Sequence, residues 1–86
     1  MIVVIPGPLH SYTQGRSRTE CEAASLAGLL DVLDARYPGM RFRMVDEQER
    51  IRPHIRIYAD GVPVTSLAAP LDAPREVLIV AALSGG

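Results

Sequence analysis

The sequence contains no lysine, and all nine of its basic residues are arginine. A chain without a lysine ammonium cannot form a side-chain Schiff base or supply a phosphate-loop lysine. Ten acidic residues balance the arginines and leave a formal net charge of -1, so no cationic excess is available to neutralise a run of phosphates. The composition therefore argues against a nucleic-acid partner.

Cysteine and long apolar runs are also scarce. The single cysteine cannot form an intramolecular disulfide, and structural metal sites usually need several Cys or His at close spacing. We therefore expect no bound metal. The longest apolar stretch, residues 77–83, is far shorter than the roughly 20 residues that span a bilayer, and no basic segment precedes the apolar residues 2–5. We expect a cytoplasmic protein with no membrane partner.

The length and composition indicate a small globular protein. Its 86 residues and 9.3 kDa allow one domain, because two would each be too small to bury a core. A composition of 48% hydrophobic and 22% charged residues is ordinary for a folded domain. We predict one domain over residues 1–83, followed by a flexible glycine-rich tail over residues 84–86.

Short apolar or alternating segments predict five strands. Residues 1–5 are a β-branched run that ends at Pro6-Gly7-Pro8, and residues 18–23 alternate, with Thr19 and Cys21 on one face. Residues 55–58 and 62–65 predict a hairpin around Asp60-Gly61. Residues 77–83 are apolar on both faces, which is typical of a central strand.

One helix is clearly indicated between the second and third strands. Leucines recur at a spacing that lines one side of a helix over residues 26–36 (Leu26, Leu29, Leu30 and Leu33). Ser25 is a favourable N-cap, and Pro38 disfavours helical geometry just after the end. Residues 40–53 carry charges of both signs without clear periodicity, and we predict a loop there.

This order of elements predicts an α+β fold of the β-grasp type, a mixed sheet of about five strands with one main helix packed on one face. The first and last strands are the most apolar, so the simplest arrangement places them side by side and parallel in the middle. The other face of the sheet is then left uncovered. An extended apolar face that is exposed to solvent usually marks a binding site for a protein partner.

Residues suited to catalysis are few. His10, His54 and Cys21 are the obvious candidates, but a lone cysteine on the inward side of a strand is usually a small buried hydrophobe. The carboxylates lie in polar segments, where no desolvation would raise a pKa for acid or base catalysis. We predict that the protein is not an enzyme.

The C-terminus is the most informative segment. The last strand runs directly into Leu83-Ser84-Gly85-Gly86, and two terminal glycines arise by chance with a probability of only about 0.5%. Glycine lacks a Cβ, so such a tail is thin enough to thread a narrow channel of a partner enzyme. Its carboxylate could then attack the α-phosphate of ATP, and a sulfur donor could displace the resulting adenylate. The competing interpretation is an inert chain end.

The order of elements and the Gly-Gly end together resemble the small sulfur carriers related to ubiquitin. These include the small subunit of molybdopterin synthase, the thiamine sulfur carrier and the carrier used in one route to cysteine. The resemblance covers nearly the whole chain in four segments: IPGPLHSYTQG, SLAGLLDVLDARYPGM, RIRPHIRIYADGVPV and VLIVAALSGG. The last of these is the most specific.

The resemblance implies that Gly86 receives the adenylate and then becomes the thiocarboxylate. Gly85 would keep the tail slim, and Leu83 and Ser84 would guide it into the partner. The partners implied are a ubiquitin-activating-type adenylating enzyme that uses ATP, a sulfur donor, and a synthase large subunit or another sulfur-accepting enzyme; the carrier itself would hold no cofactor. The alternatives are a ubiquitin-like modifier conjugated to other proteins through Gly86, and a non-catalytic interaction module.

Overall fold

The computed structural model describes residues 1–82. The strands are β1 (Ile2–Val4), β2 (Arg18–Glu20), β3 (Ile55–Ala59), β4 (Val62–Pro63) and β5 (Glu76–Ala81), and the helices are α1 (Leu26–Arg36) and α2 (Met40–Met44). They form one sheet in the order β2-β1-β5-β3-β4, in which β1 and β5 are parallel and the other pairs antiparallel. The predicted α+β β-grasp roll, with the terminal strands side by side in the centre, is confirmed.

Helix α1 begins and ends where the sequence predicts. The Ser25 hydroxyl accepts a hydrogen bond of 3.1 Å from the Gly28 backbone N–H, which satisfies one of the donors left free at a helix start. At the other end the Tyr37 N–H donates to the Leu33 carbonyl, directly before Pro38. The four leucines of the predicted apolar face are all fully buried, so α1 covers one face of the sheet.

The predicted loop over residues 40–53 is wrong in its first part, because residues 40–44 form helix α2. Met40 and Met44, four residues apart, are both fully buried, and their burial stabilises a turn of helix that the surrounding charges obscure in the sequence. The Asp34 carboxylate accepts hydrogen bonds from the backbone N–H groups of Gly39 and Arg41, both at 3.1 Å. These bonds join the start of α2 to the end of α1.

Strand boundaries differ from the predictions by a few residues. Strand β2 ends at Glu20 rather than at residue 23, although Cys21 beyond it stays buried on the inner side. Strand β4 ends at Pro63, and Val64 adds one further backbone bond to the Ile57 carbonyl. The turn before β4 is the predicted one: Asp60 and Gly61 both have positive φ (49° and 83°), as a two-residue hairpin turn requires.

The core lies between the inner face of the sheet and the two helices. Its members come from every layer and are almost completely buried: Val3, Ile5, Leu9, Cys21, Leu26, Leu29, Leu30, Leu33, Met40, Met44, Val45, Ile55, Ile57, Leu71, Val77 and Ile79. Both helices pack on this same face, and the opposite face of the sheet carries no helix in the part of the chain that the structure describes.

Candidate functional site

Strand β5 divides its apolar residues between the two faces of the sheet. Val77 and Ile79 belong to the core and are 0% and 1% exposed. Leu78 and Val80 alternate with them and therefore point to the opposite face, where Val80 is 37% exposed. Both sides of this strand are therefore apolar, but they lie in different environments. The helices bury one side, and the other side is open.

Neighbouring strands extend this open surface. The register places Val4 of β1 beside Leu78 in the parallel pair, and Tyr58 of β3 opposite Leu78 in the antiparallel pair. Ile2 lies two residues before Val4 on the same face. We call Ile2, Val4, Tyr58, Leu78 and Val80 the outer apolar face. It is the uncovered face that the sequence predicts.

The C-terminal segment, residues 83–86, follows Ala82 in the sequence, and Ala82 lies at one end of this face. The last described backbone bond of the sheet runs from the Ala82 N–H to the His54 carbonyl, at 2.8 Å. Beside it lies a cavity of about 220 Å³, whose lining includes Ala82, Tyr12, Arg43 and His54. The Arg43 Nε donates a hydrogen bond to the Tyr12 hydroxyl across this cavity rim. Sequence reasoning missed this pair, because the two residues are 31 positions apart.

The residues predicted to carry the chemistry all belong to that segment. Leu83, Ser84, Gly85 and Gly86 lie outside the described residues, as does the predicted boundary between domain and tail. The structure does place the residue before them, Ala82, at the end of the central strand β5. The C-terminal segment therefore starts from the most firmly paired strand of the sheet, beside the outer apolar face.

The cysteine and histidine residues do not form a catalytic pair within residues 1–82. Cys21 is 2% exposed, and Arg36 Nη1 donates a hydrogen bond of 3.7 Å to its sulfur. Burial raises the pKa of the Cys21 thiol, although Arg36 and the N-terminal ammonium oppose the shift. His10 instead hydrogen-bonds the Ile5 carbonyl through Nε2 at 2.8 Å, and His54 is exposed. The interpretation of Cys21 as a small buried hydrophobe is confirmed.

Residues 1–82 contain neither a metal-ligand cluster nor a membrane-spanning helix. No group of three or more His, Cys, Asp or Glu side chains is placed to hold a metal ion there. No helix in that range has the length and apolar character needed to cross a membrane.

The fold and the site define the class of protein. A β-grasp sheet with α1 across its inner face, an open apolar outer face and a C-terminal segment leaving the central strand is the architecture of a ubiquitin-like protein. The chain belongs to the ThiS family, whose family model matches residues 3–86. No curated protein sequence matches the chain.

Solved structures agree with this assignment. A chain in the crystal structure of the Amycolatopsis orientalis BexX/CysO complex is similar with a TM-score of 0.89 and 27% sequence identity, covering 99% of this chain and 98% of that one. CysO of Mycobacterium tuberculosis, described as an antigen, gives 0.87 and 24%, covering 95% and 98%. SAMP1 of Haloferax volcanii gives 0.76 and 22%, covering 100% and 98%. The last two establish the shared fold.

Family membership establishes the general role. The protein is a ubiquitin-like sulfur carrier, and such proteins are substrates and carriers rather than catalysts. This agrees with the sequence-based expectation that the chain is not an enzyme.

Proposed function

We propose that Gly86 is the residue that carries sulfur, as a C-terminal thiocarboxylate. The observation that carries this proposal is the family match, which runs without a break from β1 to Gly86 and so includes the terminal Gly-Gly pair. The fold supports it, because the C-terminal segment leaves the end of the central strand beside an open apolar face.

The chemistry needs two steps. The Gly86 carboxylate is ionised at neutral pH, since a terminal carboxyl has a reference pKa of about 3.5. One carboxylate oxygen attacks the α-phosphorus of ATP, the bond to the β-phosphate breaks, and pyrophosphate leaves. A hydrosulfide or an equivalent sulfur donor then attacks the glycyl carbonyl and releases AMP. The product is the thiocarboxylate.

These steps require a partner, because residues 1–82 offer no catalytic arrangement for them. We assign that role to a ubiquitin-activating-type adenylating enzyme, which binds the ATP. The outer apolar face would dock on this enzyme, since apolar surface on a small domain gains most free energy by burial against a partner. Leu83, Ser84 and Gly85 would then enter the channel of the enzyme. The CysO relative, which was crystallised in a complex with BexX, shows a protein of this fold bound to another protein.

The sulfur would pass from Gly86 to a sulfur-accepting enzyme such as a synthase large subunit. The acceptor belongs to a biosynthetic route of the molybdopterin, thiamine or cysteine type. The carrier would hold no cofactor of its own in any of them.

The test is the intact mass of the carrier after incubation with a candidate adenylating enzyme, ATP and sulfide. Replacement of oxygen by sulfur should add about 16 Da to the C-terminal peptide. Deletion of Gly86 should abolish the gain and leave the unfolding midpoint unchanged. Gly7→Ala is the matched control, because a Cβ at Gly7 would meet nothing within 4 Å; it should be activated normally.

Other outcomes have their own signatures. Amide-linked adducts of Gly86 with other proteins, without any mass gain of the free carrier, would favour a modifier. Normal function of a carrier that lacks Gly85 and Gly86 would favour a docking module. Either result would contradict the sulfur-transfer proposal.

A further inference from the structure

The outer face of the sheet is polarised in charge along the strand direction. At the end far from the C-terminal segment, Ile2 of β1 is paired with Glu20 of β2 on one side and with Glu76 of β5 on the other. Asp60 lies at the same end, and its carboxylate accepts hydrogen bonds from the backbone N–H groups of Arg75 and Glu76. That end therefore presents three carboxylates, together with the guanidinium of Arg75 and that of Arg36, which donates to the Glu20 carbonyl.

The opposite end, where the C-terminal segment starts, is basic. Arg56 lies opposite Val80 on the outer face, four residues along β5 from Glu76, a separation of roughly 13 Å at the usual rise per residue. Arg52 precedes β3, and Arg43 lines the cavity beside Ala82. We call Arg43, Arg52 and Arg56 the tail-end arginines. Within residues 1–82 none of the three forms an ion pair with a carboxylate.

Each of these side chains is held in place by hydrogen bonds or stacking with uncharged groups, although the Arg52 guanidinium also helps to lower the pKa of the Asp46 carboxyl. Arg56 Nη1 donates to the Pro53 carbonyl at 2.6 Å and to the Ile55 carbonyl at 3.2 Å. The Arg52 guanidinium stacks over the Phe42 ring at 4.7 Å and donates from Nε to the Phe42 carbonyl. Arg43 is held by Tyr12. A guanidinium has five N–H donors, so each retains donors for a second group.

We propose that the partner that receives the C-terminal segment carries carboxylates around the mouth of the channel that the segment enters, and that the tail-end arginines select it. This inference rests on the proposed function and names the chemistry of the partner surface. Opposite charges across an interface speed the encounter and fix its orientation. Docking in the reversed orientation would bring Glu20, Asp60 and Glu76 against the same carboxylates. The polarity of the face therefore directs the C-terminal segment towards the channel.

A protein surface fits this charge pattern better than a polyphosphate does. The overall charge of -1 and the acidic far end of the same face would repel an extended polyanion. Bidentate carboxylate binding suits arginine in particular.

The first experiment tests carboxylate selection without any enzyme. A short glutamate peptide is titrated into the full ¹⁵N-labelled protein at low salt, and the Nε–H signals of the arginine side chains are followed. We expect the signals of Arg43, Arg52 and Arg56 to shift and that of Arg75, at the acidic end, to stay near its starting position. Equal shifts at Arg75, or no shift at the tail-end arginines, would overturn the proposal.

The second experiment measures activation by the adenylating enzyme through ATP–pyrophosphate exchange. Arg56→Gln should raise the KM of the carrier about threefold and Arg56→Glu about tenfold, with little change in kcat, because the charge acts on encounter and docking. The matched variants Arg75→Gln and Arg75→Glu should change KM by less than about twofold. Added salt should shrink the difference between wild type and Arg56→Glu.

These outcomes separate the two proposals. If the wild type is not activated by any adenylating enzyme, the proposed function fails, and the titration with the short glutamate peptide still decides whether the surface selects carboxylates. If the wild type is activated and the Arg56 and Arg75 variants behave alike, only the inference about the partner fails. Thermal unfolding of each variant shows whether loss of the Arg56 bonds disturbs the fold; in that case Arg43→Glu, at the tail-end arginine that lines the cavity beside Ala82, takes its place.

A second copy of the chain is the competing occupant, because an antiparallel pair would also match basic with acidic ends. Sedimentation velocity of the wild type and of Arg56→Glu tests this. A dimer that dissociates in the variant would assign the face to self-association and overturn the proposal; a monomer in both supports it.

Discussion

The two faces of β5 have nearly the same composition and different environments. Val77 and Ile79 are buried under α1 and α2, whereas Leu78 and Val80 lie on the face that carries no helix within residues 1–82. The difference teaches that apolar residues in one strand can have separate purposes. The inner pair contributes to the free energy of unfolding, and the outer pair provides surface for a partner.

The largest expected effect tests this division directly. Ile79→Ala should lower the free energy of unfolding by about 3 kcal/mol, because it leaves a cavity in a packed core. Val80→Ala, the adjacent residue on the outer face, should lower it by less than about 1 kcal/mol. Urea denaturation measures both. Equal losses would mean that the outer face is as important for folding as the inner one.

Helix α2 gives the next largest contrast, since it contributes to the cover of the inner face. Met44 is fully buried and Phe42, two residues away, is 56% exposed. Met44→Ala should lower the free energy of unfolding by about 2 kcal/mol. Phe42→Ala should lower it by less than about 1 kcal/mol, the loss of its stacking with Arg52. A larger effect at Phe42 would show that α2 packs against the core through Phe42 rather than through Met44.

The N-cap of α1 should make a smaller contribution to the free energy of unfolding, through the same helix that buries the inner face. Ser25→Ala removes the bond to the Gly28 N–H and should lower the free energy of unfolding by about 1 kcal/mol. Ser17→Ala, at an exposed serine just before β2, is the control and should be close to neutral. Similar values for the two serines would argue that the cap contributes nothing.

The smallest predicted effect concerns the exposed loop after α2. Hydrogen bonds from backbone N–H groups, chiefly that of Arg50 at 3.0 Å, hold the pKa of the Asp46 carboxyl below its usual range. A carboxyl whose pKa is lower in the folded state stabilises above its unfolded pKa of about 4, and this contribution is lost as the pH falls through the folded value. Asp46→Asn should therefore flatten the acid side of the stability curve. An acid-side slope equal to that of the wild type would contradict this prediction.

Sequence patterns predicted those parts of the fold that depend on local spacing. The leucine spacing and Ser25 located α1 to the residue, and the Asp60-Gly61 pair located the hairpin turn. The boundaries of β2 and β4 were less accurate, because a strand ends where its pairing with a neighbouring strand ends. Helix α2 was missed because its signal is one pair of methionines among charges, and only packing under the sheet makes that pair decisive.

The candidate site divides in the same way. The family and the uncovered face were predicted from the sequence. The family is confirmed, and within residues 1–82 no helix packs on the outer face. The basic end of the face was not predicted. Arg43, Arg52 and Arg56 are scattered among acidic residues along the chain. They lie at the same end of the molecule only because β3 pairs with β5 and α2 packs beside the end of that strand.

The sequence by itself determined helix α1, the hairpin turn, the absence of lysine and the apolar character of both sides of β5. These depend on composition and on periodicities of two and 3.6 residues, which are local properties of the chain. The tertiary structure alone decided which side of β5 the helices bury and which charges gather at each end of the outer face. Both depend on strand register and helix packing, which bring together residues far apart in sequence.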